Sequence, residues 1–209
     1  MFTKLIAIVI LTTFFSSCAN SQDPVEGKGR LRGACEGCEG VFEYGGKKLK
    51  AVDTLPAYYE RGDKLKVTGT IYQPDGATPA KDVILYIYHT NTGGIYPTRG
   101  GETGWARRHG YIRGWVKTGS DGVYTFYTTK PGAYPDGNNP AHIHPTILEP
   151  NGTYYWVEEY RFRGDPLLVN VPEPSSPRGG TTGVVAVEKE GGLLVAKRDF
   201  ILGRGVPGY

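Results

Sequence analysis

Turn-forming residues divide this chain at close intervals along almost its whole length. Its 209 residues include 31 glycines and 15 prolines, many of them in turn signals such as Gln73-Pro74-Asp75-Gly76 and Gly119-Ser120-Asp121-Gly122. Between these signals lie short segments that are either alternating or continuously apolar, and none has the pattern of a long amphipathic helix. Short strands joined by regular turns are typical of all-β proteins, so the sequence predicts an antiparallel β-sandwich.

Eight segments are predicted as strands, and two of them form a closing hairpin around Glu190-Gly191-Gly192. The eight cover residues 65–72, 82–89, 114–118, 123–128, 142–148, 154–162, 184–189 and 193–200. Residues 82–89 are apolar or aromatic at nearly every position, which indicates a central strand covered on both faces. Residues 99–111 and 172–183 are predicted as long loops.

The first residues have the pattern of a secretion signal. Lys4 precedes an apolar run over residues 5–15, which ends at Ser16-Ser17-Cys18. A basic residue, an apolar run and small residues before a cleavage point are the parts of a signal peptide, predicted here over residues 1–17. The run is too short to favour a membrane-spanning helix.

The cysteine after the two serines resembles the lipobox of bacterial lipoproteins, which implies that Cys18 is the lipidated first residue of the mature chain. Ordinary secretion is the alternative. Residues 18–28 are then a polar tether, and residues 29–209 are predicted to form a single domain. The predicted location is outside the cytoplasm, anchored by lipid to a bacterial membrane and facing the periplasm.

Charge and cysteine content exclude several classes of function. The formal net charge is +3 and the sequence has no basic stripe, so nothing indicates a nucleic-acid partner. Cys35 and Cys38 form one Cys-x-x-Cys pair, and the second pair that a zinc site needs is missing. A redox-active pair would need a βαβ context, which is also missing. In an exported chain we expect a local disulfide.

His142-Ile143-His144 is the most specific motif in the chain. On a strand, residues two apart point to the same face and lie roughly 6.5 Å apart, so these two imidazoles can bind one metal ion. Tyr134 precedes them across a loop rich in proline, glycine and asparagine, which can bring its phenol beside the two rings. The alternative is a strand with two solvated histidines.

Several motifs occur together in one order. They are Pro74-Asp75-Gly76, residues 83–96, residues 118–126, Lys130-Pro131-Gly132-Ala133-Tyr134-Pro135, Pro140-Ala141-His142-Ile143-His144 and Gly164-Asp165-Pro166-Leu167. This series resembles the catalytic domain of the intradiol ring-cleavage dioxygenases, the protocatechuate and catechol group. The resemblance covers about residues 65–170. It implies the β-sandwich of that domain, with long active-site loops, and allows a homodimer.

The resemblance also implies a mononuclear non-haem Fe(III) site. Its ligands would be Tyr96, Tyr134, His142 and His144, with Tyr96 as the axial ligand and catalytic base. Fe(III) is a hard cation that favours anionic oxygen donors, which suits two tyrosinates. The implied reaction is cleavage of a catechol-type ring by O2 between the two hydroxyl-bearing carbons, giving a cis,cis-muconate-type product. The substrate supplies the electrons, so neither NADH nor flavin is implied.

One departure from the family pattern concerns the substrate. The family usually has an arginine directly before Pro-Ala-His-x-His, and here that residue is Asn139. Five other arginines are candidates to replace it: Arg107, Arg108, Arg113, Arg161 and Arg163. Two further histidines are expected to be structural, His89 as a packed strand residue and His109 as a loop residue.

Two rival functions stay open at this point. The chain could be a surface binding module that captures a catecholic or glycan ligand without turnover, a reading that Asn139 favours. It could also be a structural sandwich domain that holds no metal.

Overall fold

The computed structural model describes residues 29–209, and thirteen strands in this part of the chain form two sheets. The predicted signal peptide, the tether and the lipidation of Cys18 lie outside the described residues. Within residues 29–209, no helix combines the length and the apolar character needed to cross a membrane.

The strands are short, as the turn signals predict. In chain order they are β1 (Arg30–Leu31), β2 (Val52–Thr54), β3 (Lys64–Tyr72), β4 (Ile84–His89), β5 (Arg113–Lys117), β6 (Val123–Thr129), β7 (His142–Leu148), β8 (Thr153–Trp156), β9 (Tyr160–Phe162), β10 (Val184–Val185), β11 (Val187–Glu190), β12 (Leu193–Lys197) and β13 (Phe200–Ile201). Between residues 29 and 209 there are also one short α-helix, α1, which spans Ala106–His109, and three 3₁₀ helices, which span Cys38–Phe42, Pro56–Tyr59 and Pro166–Asn170.

The two sheets have antiparallel centres. The first has the order β1-β8-β7-β4-β5, with β9 paired to β7 and β10 to β9; the second has the order β11-β12-β3-β6-β2, with β13 paired to β3. The pairs β4–β5, β4–β7 and β3–β6 are antiparallel, which confirms the predicted sandwich. Parallel pairs flank these centres, as in β1–β8, β2–β6 and β12–β3, and the sequence did not indicate them.

The central strand β4 is buried on both faces, as predicted. Leu85 and Ile87 are fully buried in the core between the sheets, which also holds residues of β3, β6 and β7. Tyr86 points to the opposite face, which we call the outer face of the first sheet, and is also fully buried. There it packs in a second cluster with Trp115 and Val41, which lies in the 3₁₀ helix Cys38–Phe42.

Cys35 and Cys38 form the predicted disulfide, with their Cα atoms 5.8 Å apart. This distance lies in the usual range for such a bond. The bond closes a short loop directly before the 3₁₀ helix that covers the outer face. Cys38 itself is buried in that cluster.

Four segments differ from the predicted strands and loops. The segment 193–200 contains β12, which ends at Lys197, and only the first residue of β13, Phe200. The segment 154–162 is two strands, β8 and β9, because Pro145 in β7 has no N–H to donate and the ladder breaks opposite it. The segment 184–189 begins as β10 in the first sheet and continues as β11 in the second. The predicted loop 99–111 contains helix α1.

His89 lies at the end of β4 and connects the two sheets. Its Nδ1–H donates to the Thr90 carbonyl at 2.7 Å, and its Nε2 therefore accepts from the Thr128 hydroxyl of β6 at 2.8 Å. Its side chain is fully buried, and burial lowers the pKa of His89 to about 4. The prediction of a packed, hydrogen-bonded histidine is therefore confirmed.

Acidification should destabilise the fold through His89. The pKa is about 6.5 in an unfolded chain and about 4 here, so between these values the unfolded chain binds the extra proton. The stabilisation is fully present above about pH 6.5 and is lost as the pH falls towards 4, by on the order of 3 kcal/mol. Denaturant unfolding from about pH 7 to about pH 4.5 should show this decline, and His89→Gln should reduce it. An equal decline in wild type and H89Q would contradict the assignment.

Candidate metal centre

The strand β7 presents both predicted histidines on the outer face of the first sheet. Ile143 lies between them and points into the core, where it is fully buried. His144 lies opposite Tyr88 of β4, and His142 lies opposite Arg161 of β9. Directly opposed residues point to the same face, so this pairing brings β4 and β9 side chains beside the imidazoles.

Tyr96 is carried by a loop that begins directly after β4. The Asn91 side-chain oxygen accepts hydrogen bonds from the backbone N–H groups of Gly93, at 2.9 Å, and Ile95, at 3.1 Å. The Asn91 backbone N–H in turn donates to the Ile95 carbonyl at 2.8 Å. Asparagine stabilises tight turns in this way, and the turn directs Tyr96 back over the outer face.

Tyr134 lies on the loop after β6, and glycines allow that loop to contact the loop of Tyr96. The Gly132 N–H donates to the Asn91 carbonyl at 2.9 Å. A Cβ atom on Gly132 would lie 2.3 Å from the Thr92 carbonyl oxygen. A Cβ atom on Gly94, whose φ is +77°, would lie 1.9 Å from the Ala133 carbonyl oxygen. Only glycine fits such contacts, so the two loops pack backbone to backbone.

The structure brings all four predicted site residues together, and we call Tyr96, Tyr134, His142 and His144 the four-residue cluster. The Tyr96 hydroxyl oxygen lies 2.6 Å from the Tyr134 hydroxyl oxygen and 2.7 Å from His144 Nε2. The Nε2 atoms of the two histidines are 3.0 Å apart. Neighbouring ligands of one metal ion, with bonds of roughly 2 Å, are spaced at roughly this distance.

Hydrogen bonds to the far nitrogens leave both Nε2 atoms free to bind a cation. His142 Nδ1 lies 2.7 Å from the Pro140 carbonyl oxygen, and His144 Nδ1 lies 3.0 Å from Glu159 Oε1. Both of these oxygens accept, so each Nδ1 carries a proton, and Nε2 is the nitrogen of each ring that can offer a lone pair. The two lone pairs face each other, and a cation between them would remove their repulsion. The donor set therefore fits a metal ion.

Burial disfavours the charged forms of Tyr96, Tyr134 and His142, whereas the pKa of the carboxylate beside them is lowered. Burial raises the pKa of Tyr96 and of Tyr134, and it lowers the pKa of His142. Burial also opposes ionisation of Glu159, but the hydrogen bond from His144, together with the electrostatic influence of His144, His142 and Arg161, lowers its pKa to about 2. Glu159, His142 and His144 offer ligand atoms within 4.8 Å of one another. A bound cation would favour the tyrosinate forms.

Arg161 is the one candidate arginine that joins this network. It lies across from His142, and its NH2 group donates to Glu159 Oε2 at 3.0 Å. Asn139, at the position where the resemblance implies an arginine, is exposed. The other four arginines lie elsewhere: Arg107 and Arg163 are exposed, Arg108 pairs with Glu36, and Arg113 pairs with Glu43.

A stack of rings supports His144 from one side. Tyr88 stacks on His144 at 4.5 Å between ring centroids and on His109 at 3.7 Å, with interplanar angles of 13° and 4°. His109 is buried at the end of α1, and its Nδ1 bonds the Tyr86 hydroxyl at 2.8 Å. His109 therefore belongs to a helix and not to an open loop, and it is not part of the four-residue cluster.

Sequence reasoning missed Glu159 and Tyr88. Each touches His144 only because of strand pairing, since β4 and β9 both lie beside β7. A cleft of about 380 Å³ borders His144, and its walls include both residues, Trp156 and the disulfide loop. No local motif marks either residue, and only the register of the strands could have indicated them.

The same architecture occurs among solved structures. The dioxygenase domain of a dioxygenase–carbohydrate-binding fusion protein from the cellulolytic bacterium Streptomyces sp. SirexAA-E matches with a TM-score of 0.56 and 23% identity. The match covers 76% of this chain and 94% of that one. The fold is that of the intradiol ring-cleavage dioxygenases. The predicted fold class is therefore confirmed.

Sequence comparison leads to the same group of dioxygenases. The chain is 31% identical over 120 residues to the protocatechuate 3,4-dioxygenase beta chain of Burkholderia cepacia, covering 53% of this chain and 49% of that protein. It is 28% identical over 148 residues to catechol 1,2-dioxygenase 1 of Acinetobacter lwoffii, covering 58% and 46%. The chain thus spans about half the length of the curated relatives it matches. No family model matches the chain.

Replacing Gly94 by alanine should separate the two tyrosines. The new Cβ would meet the Ala133 carbonyl at 1.9 Å and would also need a positive φ. Gly137→Ala is the matched control, because Gly137 has a φ of +70° and nothing lies within 4 Å of its Cβ position. We expect G137A to lower the free energy of unfolding by about 1 kcal/mol and G94A by at least twice as much. Equal losses in denaturant unfolding would contradict close packing of the two loops.

Proposed function

We propose that this protein is a non-haem Fe(III) dioxygenase that cleaves a catechol-type ring with O2 to a cis,cis-muconate-type product. The observation that carries the proposal is the convergence of two phenol oxygens and two imidazole nitrogens, with contacts of 2.6–3.0 Å. The likeness to protocatechuate 3,4-dioxygenase and catechol 1,2-dioxygenase supports the choice of substrate class.

The donor set favours a hard, highly charged cation. Tyr96 and Tyr134 would bind as tyrosinates and offset two of the three charges of Fe(III), and His142 and His144 would add two neutral nitrogens. When bound, Fe(III) would act as a Lewis acid that polarises the catechol and makes its ring reactive towards O2.

Tyr96 is the proposed catalytic base. Its oxygen lies at the centre of the four-residue cluster, in contact with both Tyr134 and His144. A catechol must lose its hydroxyl protons to bind as a chelate, so a group within hydrogen-bonding distance of its oxygens must accept them. Burial raises the pKa of Tyr96, so a phenolate at this position would be a strong base.

The other residues of the site orient the cluster. The Pro140 carbonyl and the Glu159 carboxylate hold the tautomers of His142 and His144, and Tyr88 packs against one face of His144. This support fixes the imidazoles before substrate enters. Fixed positions reduce the reorganisation that a reaction needs.

Tyr134→Phe tests the iron site. Wild-type protein loaded with Fe(III) should be coloured by tyrosinate-to-iron charge transfer and should consume O2 when catechol is added. Y134F lacks one tyrosinate oxygen, so most of the visible band and of the O2 uptake should be lost. Tyr59→Phe is the control, because Tyr59 is 80% exposed and lies outside the four-residue cluster. A spectrum that is the same in wild type and Y134F would remove Tyr134 from the site.

A binding module without turnover is the second candidate, and Asn139 favours it. The exposed asparagine leaves the cluster without the arginine that the family resemblance implies at that position. Under this alternative, calorimetry with a panel of catechols would give saturable binding while an oxygen electrode recorded no uptake. O2 uptake with any catechol that binds would exclude it.

We further propose that the protein is exported and held at a membrane by lipid on Cys18, as the N-terminal pattern in the sequence suggests. The disulfide between Cys35 and Cys38 suits an oxidising compartment, which supports export.

Cys18→Ser should release the protein from the membrane. Lipid on Cys18 would place the wild-type protein in the detergent-rich phase of a cloud-point separation of whole-cell lysate. C18S cannot accept the lipid, so it should move to the aqueous phase. Equal partition of the two proteins would contradict the lipid anchor and would have no bearing on the proposed iron site.

A further inference from the structure

We propose that Glu159 is a positioning residue that makes His144 the stronger of the two imidazole donors to the metal. The inference deepens the proposed function and rests on it. Glu159 holds the ring of His144 through a hydrogen bond to Nδ1 and adds negative charge behind that ring. Its role would be to set the affinity and the electronic character of the metal site, and not to contact the substrate.

Both oxygens of the Glu159 carboxylate have defined partners. Oε1 accepts from His144 Nδ1 at 3.0 Å, and Oε2 accepts from Arg161 NH2 at 3.0 Å. The three side chains are only 15–27% exposed. Arg161 therefore orients the carboxylate, and the carboxylate orients the imidazole.

Glu159 stands behind His144 and not among the ligands. It bonds Nδ1, whereas Nε2 is the nitrogen that contacts Tyr96 and His142. The four-residue cluster and Glu159 are thus on opposite sides of the His144 ring. Although Glu159 lies close enough to the histidines to be grouped with them as a metal ligand, its hydrogen bond assigns it a supporting role.

The two histidines have unequal support. His142 Nδ1 donates to a neutral carbonyl, that of Pro140, whereas His144 Nδ1 donates to a charged carboxylate. A carboxylate draws the Nδ1 proton more strongly than a carbonyl does, and it raises the electron density on Nε2. His144 should therefore donate more charge to a bound metal than His142.

The fold places Glu159 there by interrupting a strand. The pairing of β7 with β9 puts Arg161 opposite His142, so Glu159, two residues earlier, lies at the level of His144. Residues 157–159 are outside the strands, in the gap between β8 and β9 that faces Pro145. The break gives the Glu159 side chain room to reach the edge of the His144 ring.

Glu159→Gln removes the charge while keeping an oxygen that can accept from Nδ1–H. We expect its affinity for Fe(III), measured by competition with a chelator, to fall about 10-fold, with a larger loss for Glu159→Leu, which removes the hydrogen bond as well. The tyrosinate-to-iron band should shift to longer wavelength in E159Q, because weaker donation from His144 makes the iron easier to reduce. A purely structural role would not move this band.

Glu36→Gln is the matched control. Glu36 lies on another wall of the same cleft, pairs with Arg108 and does not contact the four-residue cluster. E36Q loses the same charge, so its affinity and band should equal those of wild type. Melting of the metal-free proteins shows whether each variant folds, and if E159Q is unfolded, E159D supplies the comparison of band position.

The outcomes separate the two proposals. A folded E159Q with wild-type affinity and an unmoved band would overturn the role of Glu159 and leave the iron site standing. The same shift in E36Q would also overturn it, because a general field effect would then explain the change. Wild-type protein that binds no Fe(III) would overturn the proposed function and this inference with it.

Discussion

Backbone contact between two loops is the constraint on which the candidate site depends. The loop after β4 carries Tyr96 and the loop after β6 carries Tyr134, and these strands belong to different sheets. Gly94 and Gly132 allow the loops to touch where any side chain would collide with a carbonyl oxygen. The two phenols therefore meet because the backbones of their loops can approach each other. The imidazoles of β7, on the outer face of the first sheet, complete the cluster.

The two faces of the first sheet carry different kinds of side chain. Its inner face packs apolar side chains such as Ile87 and Ile143 against the second sheet, and this packing stabilises the fold. Its outer face carries Tyr88, His142 and His144 and is closed in part by the segment that the Cys35–Cys38 disulfide anchors. Because side chains alternate between the two faces of a strand, Ile143 packs in the core while His142 and His144 lie in the candidate site.

Sequence reasoning reached the residues that local patterns define. The repeat in His142-Ile143-His144 is visible in any strand, the loop before it already indicated Tyr134, and the resemblance to a known family supplied Tyr96. Glu159 could not be found in this way, because its contact with His144 depends on the register between β7 and β9. The parallel strand pairs, such as β12 with β3, were not predicted for the same reason, since they join segments far apart in the chain. Pro145 could have been recognised in the sequence as a break, because it has no N–H to donate. This break explains why the predicted strand 154–162 is two strands, β8 and β9.

The ring stack links the candidate metal centre to the protein surface. Tyr88 is held between His144 and His109, with near-parallel planes on both sides, and His109 in turn stacks on the partly exposed Trp105 at 5.4 Å. Close packing couples the orientations of neighbouring rings, so the position of the His144 ring depends on Tyr88 and, through it, on His109 of helix α1. The packing that supports the candidate metal centre therefore extends to Trp105, where the stack meets solvent.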